Sequence, residues 1–79
     1  MKAKSNMSVI KRSVKIAGHA TSISLEEPFW ETLQEIATTQ KKPLSALIKE
    51  IDDQRAGNLS SAIRIYVLRT LQDHKAQQK

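Results

Sequence analysis

Only one stretch of this chain alternates as a β-strand does, and everything after it repeats with a helical period. Residues 11–25 read KRSVKIAGHATSISL. Val14 and Ile16 alternate with Ser13 and Lys15, and Thr21, Ile23 and Leu25 alternate with Ser22 and Ser24; a period of two with β-branched residues is the strand signature. Gly18 interrupts the run, either as a bulge in one long strand or as a turn between two short ones, and the sequence leaves both open. A lone strand or hairpin is not stable by itself. It has to pair, and the simplest partner is the same strand of a second copy, whose antiparallel pairing creates a two-fold axis.

Three helical stripes follow. Phe29, Leu33, Ile36 and Ala37 form the first, widened by Trp30. Glu26 and Glu27 put negative charge at its start, Pro28 suits a first turn, and the Lys42–Pro43 step predicts an end near Thr39. Leu44, Leu47, Ile48 and Ile51 form the second, with Ser45 as a cap or Pro43 as its first residue, and Gly57 as its stop. Leu59, Ala62, Ile63, Tyr66, Val67 and Leu71 form the third, with Asn58 or Ser60 as its cap. Ile65 and Leu68 lie beside that face, so the third helix is apolar around much of its circumference, as a helix at a dimer interface is.

Size reinforces the dimer. Seventy-nine residues leave little room for a private core, and such chains need a staple. There is no cysteine for disulfides or thiolate zinc sites, and His19 and His74 are too far apart in sequence to suggest a metal site, so neither metal nor cofactor is expected. A partner chain is the remaining staple. The expected dimer core is Ile23, Leu25, Phe29, Leu33, Ile48, Ile63 and Val67. The fold class is mainly α with a short N-terminal β-ribbon: residues 1–10 a flexible basic arm, 11–72 the folded domain, 73–79 a polar tail that frays.

Charge is unevenly distributed. Of the net +5, residues 1–20 carry +5 with no acid, residues 21–53 carry −4, and residues 54–79 carry +4. A basic arm beside an acidic middle suits one face to a polyanion. The chain has no Gly-rich phosphate loop, no His–Glu–x–x–His and no nucleophile elbow. The adjacent pairs Glu26–Glu27 and Asp52–Asp53 point about 100° apart on a helix and make no acid–base pair. A non-enzyme is expected. No apolar run reaches membrane-span length and no signal-peptide pattern opens the chain, which points to the cytoplasm, with the nucleoid as the bound location.

The strand carries the functional expectation. With Thr21, Ile23 and Leu25 facing in, Ala20, Ser22 and Ser24 face out by the period of two. A two-stranded β-ribbon fits the major groove of B-DNA, and serine hydroxyls can donate or accept at base edges.

The segments Thr21–Leu25, Glu26–Trp30 and Pro43–Ile48, together with Gly18–His19 and Gly57–Ser61, resemble the ribbon-helix-helix family, and more narrowly a bacterial subfamily of small members, over roughly residues 11–71. The resemblance implies a DNA-binding homodimer whose intermolecular ribbon enters the major groove, with Ala20, Ser22 and Ser24 as base readers. It also implies a phosphate anchor at the N-terminus of the second helix, at Leu44–Ser45–Ala46 with Lys42 nearby. The family has two helices and this chain three, so Ser60–Ser61 is the other candidate anchor. Lys11, Arg12 and Lys15 are candidates for flanking phosphate contacts, which position without specifying sequence. The resulting expectation is a sequence-specific regulator, a repressor binding double-stranded DNA as a homodimer or a higher oligomer, with no small-molecule ligand. The rival is a protein-interaction module, an antitoxin or adaptor, sharing the same dimer core.

Overall fold

The computed structural model describes residues 8–55 and 57–77. Two strands, β1 (Val9–Ile16) and β2 (His19–Glu26), precede three helices, α1 (Glu27–Thr39), α2 (Leu44–Gln54) and α3 (Leu59–Gln77). The strands pair antiparallel in a two-stranded sheet from Val9↔Glu26 to Ile16↔His19.

Gly18 is therefore a turn residue. Ala17 and Gly18 both have positive φ, +52° and +84°, as the two central residues of a type I′ hairpin turn require. Both strands of this hairpin belong to one chain. The physical reason is that a two-residue turn of this hand matches the strand twist and returns β1 alongside β2 with no loop to close. The expected basic arm extends to residue 10, but Val9 and Ile10 already belong to β1; residues 1–7 of that arm lie outside the described residues. At the other end α3 continues through Gln77, beyond the expected start of a fraying tail at residue 73.

One face of the sheet is covered by the helices. Ile16, Ile23 and Leu25 from the strands, Leu33, Ile36 and Ala37 from α1, Leu47, Ile48 and Ile51 from α2, and Ile63 and Val67 from α3 form one buried cluster. Phe29, Trp30, Leu44, Leu59 and Tyr66 pack partly buried against it. Burying each large aliphatic side chain contributes about 1.5–3 kcal/mol. The residues expected to form a dimer core thus sit in the core of a single chain, with Phe29 at its margin.

The helix ends differ in how they are closed. Pro28 sits in the first turn of α1, and no side chain caps that end. Pro43 is the residue preceding α2, so neither a Ser45 cap nor Pro43 as first helical residue holds; the fixed φ of proline, −62° here, suits this extended position equally well. At α3, Asn58 Oδ1 accepts the Ser61 N–H at 2.8 Å, so Asn58 is the cap.

Candidate nucleic-acid interface

The pleat sorts the hairpin into two faces. Residues opposite each other in the register share a face. Ile10, Arg12, Val14 and Ile16 face the helices with Thr21, Ile23 and Leu25. Val9, Lys11, Ser13 and Lys15 of β1 and Ala20, Ser22, Ser24 and Glu26 of β2 occupy the other face. All eight are exposed except Ser24 and Glu26, which are half-buried. The three expected base readers stand on the outward face, as the period of two requires.

The side chains of Lys11, Ser13, Lys15 and Ser22 make no hydrogen bond or ion pair with any described residue. Two lysines are thus left without a counter-charge among the described residues, because Glu26, the acid on this face, is engaged by Arg64. Arg12 is different. It points inward, its guanidinium lies 4.5 Å from the Trp30 ring centroid, and Nη2 donates to Glu27 Oε1 at 2.7 Å. Its Nη1 is buried with no hydrogen-bond partner among the described residues. Lys11 and Lys15 share the outward face with the base readers, and Arg12 does not. Lys42, the cation near the expected phosphate anchor, is engaged by Glu50.

Ser45 is exposed in the first turn of α2. It lines a groove of about 610 Å³ with Leu44, Ile48, Trp30 and residues Arg12–Lys15, so the α2 N-terminus faces β1. The first α2 amide with a backbone partner is that of Ala46, which donates to the Pro43 carbonyl at 3.0 Å. The amides of Leu44 and Ser45 precede it and have no hydrogen-bond partner among the described residues, as the first N–H groups of a helix lack one within it.

The start of α3 is used otherwise. Ser60 Oγ accepts the Ser24 N–H at 3.0 Å, and Arg64 donates to the Ser24 carbonyl at 3.3 Å and to Glu26 Oε1 at 3.0 Å. The Arg64 guanidinium also stands 6.0 Å from the Phe29 centroid. The hydrogen bond from Arg64, aided by the backbone, holds the Glu26 carboxyl below its ordinary value of 4.5. Together these contacts close the outer edge of β2 at Ser24, so the Ser60 side chain is spent on the sheet. Sequence reasoning misses the Arg64 role, because an arginine on a helical stripe carries no mark of the strand it meets 38 residues away.

Residues 9–71 match the family model of the ribbon-helix-helix domain. Among solved structures, an uncharacterized protein from Bordetella pertussis Tohama I is similar, with 33% sequence identity and a TM-score of 0.71. The match covers 92% of this chain and 62% of that one, so this chain spans less than two thirds of that protein's length. No curated protein matches.

Proposed function

The chain belongs to the ribbon-helix-helix family, and from that membership we propose that it is a sequence-specific regulator, a repressor, that sets the outward face of its hairpin into the major groove of double-stranded DNA. One observation carries the reading: the outward face presents Ala20, Ser22 and Ser24 beside two lysines that pair with no acid among the described residues. Small polar side chains let a ribbon approach base edges, and free cations release counterions from the phosphates. Lys11 and Lys15 are its flanking phosphate contacts. The amides of Leu44 and Ser45 form a further anchor. Arg12 and Lys42 are held by Glu27 and Glu50 and serve the fold first.

The regulator acts as a homodimer. Ile65, Leu68 and Leu71 of α3 are each about half exposed, and Ile65 and Leu68 lie across the helix from Ile63, which is in the core. A second copy covering this stripe would give the two-fold symmetry that a palindromic operator mirrors. The same stripe is what an antitoxin or adaptor would offer a different protein. We read the chain as a binding protein of the cytoplasm, located on the nucleoid when bound, and not as an enzyme. Among the described residues no helix is long and apolar enough to cross a membrane.

The test is a titration of labelled random duplex with purified protein at two salt concentrations. Saturable binding that weakens steeply with salt supports the reading. Absence of binding at low salt, with α3-dependent capture of a protein partner, would replace it with the interaction-module reading.

A further inference from the structure

The register of the hairpin points to a base-reading residue on the first strand. We infer that Ser13 reads DNA together with Ser22, as a side-by-side pair supplied by one chain. The inference rests on the DNA-binding reading above and names a residue that reading does not need.

Ser13 and Ser22 are opposite each other in the register, at the middle of the outward face. Their geometry follows from the turn. A two-residue turn makes Ile16 and His19 the first pair to exchange both ladder bonds. Counting back by twos, Val14↔Thr21 and Arg12↔Ile23 also exchange bonds, and Ser13↔Ser22 falls between them on a non-hydrogen-bonded pair. The Ser24 N–H, which shares the parity of Ser22, turns away from β1 to meet Ser60 and so agrees with the count. Side chains of a non-hydrogen-bonded pair stand closest, with Cβ atoms about 4.5–5.5 Å apart.

That spacing has a chemical consequence. One serine hydroxyl both donates and accepts, so alone it discriminates poorly between base edges. Two hydroxyls side by side can present a donor and an acceptor together, the pattern by which one base pair differs from another in the major groove. Both side chains are exposed, and neither bonds to a described residue. The flanking pairs Lys11↔Ser24 and Lys15↔Ala20 set a lysine against a small residue on either side, leaving the centre uncrowded.

The test is selection of bound sequences from random duplex DNA with the wild-type protein, Ser22→Asn and Ser13→Asn, with Ser13→Thr as the variant best suited to a strand. Circular dichroism and size confirm that each is folded. Asparagine favours adenine, so Ser13→Asn is expected to shift the selected base at or next to the position shifted by Ser22→Asn, and to weaken the wild-type sequence by about tenfold. Ser13→Thr is expected to weaken it as well. If the wild type and Ser22→Asn select different motifs while both Ser13 variants keep the wild-type motif and affinity, Ser13 is no reader and the inference falls alone. If the wild type selects nothing, the DNA-binding reading falls and takes this one with it.

Discussion

Arg12 stacks on Trp30 with 4.5 Å between guanidinium carbon and ring centroid, on the face of the hairpin opposite Lys11. This single inward cation separates the basic residues of β1 into two kinds. Arg12 ties β1 to α1 through Trp30 and Glu27. Lys11 and Lys15 are tied to no described residue.

That division can be measured. Arg12→Ala is expected to lower unfolding stability by about 1–2 kcal/mol, the range for a partly desolvated cation–π contact. It should leave the salt dependence of DNA binding unchanged. Lys11→Ala and Lys15→Ala should do the reverse, each reducing the slope of log K against log salt by about 0.9, since each leaves one phosphate with its counterions in place. Urea unfolding and binding titrations over a salt series check both halves.

The two faces of β2 make opposite demands on substitution. Ser22→Glu sets a carboxylate on the exposed face and should cut DNA affinity by about a hundredfold or more through like-charge repulsion. Its far-ultraviolet dichroism and oligomeric state should stay as in the wild type. Ile23→Asp places a carboxylate where the side chain is 1% exposed, and a buried unpaired charge should prevent folding. A folded Ile23→Asp protein would mean that the faces are reversed.

The turn is improvable. Ala17 holds φ +52°, which costs a residue with a Cβ about 1–2 kcal/mol. Asparagine tolerates this region, and Asn-Gly is the favoured type I′ pair. Ala17→Asn is expected to raise the thermal midpoint. Gly18→Ala should lower it despite open space around a new Cβ, because the penalty lies in the backbone at φ +84°.

The Glu26–Arg64 contact carries a pH dependence of known sign. The Glu26 carboxyl is held below 4.5 in the folded chain, chiefly by the Arg64 hydrogen bond. Its contribution is therefore full above the unfolded value and disappears as pH falls through the folded value. In Glu26→Gln the urea midpoint should be less sensitive to acidification below about pH 4.5 than in the wild type. An identical acid profile in the two proteins would show that the pairing contributes nothing.

Much of this architecture is legible from periodicity. The alternation of Thr21, Ile23 and Leu25 with serines assigns the faces of β2 correctly because a buried face needs a period of two. Thr39 as the end of α1 follows from the geometry that Pro43 imposes. What periodicity cannot supply is partnership. It does not tell whether β1 returns on β2 within the chain, because Ala17–Gly18 is a weaker turn signal than Asn-Gly. Nor does it tell that Arg12 turns inward, because a basic residue on an inward position reads as a surface cation until its aromatic and acidic neighbours are known. The Ser60–Ser24 bond is hidden for the same reason, since it joins segments 36 residues apart.

Whether the outward hairpin face reads DNA is decided most directly by selecting bound sequences from random duplex with the wild-type protein, at low and at high salt. Enrichment of a short two-fold-symmetric motif whose binding weakens as salt rises is the expected result. Failure to retain any duplex at low salt would contradict a DNA-reading face.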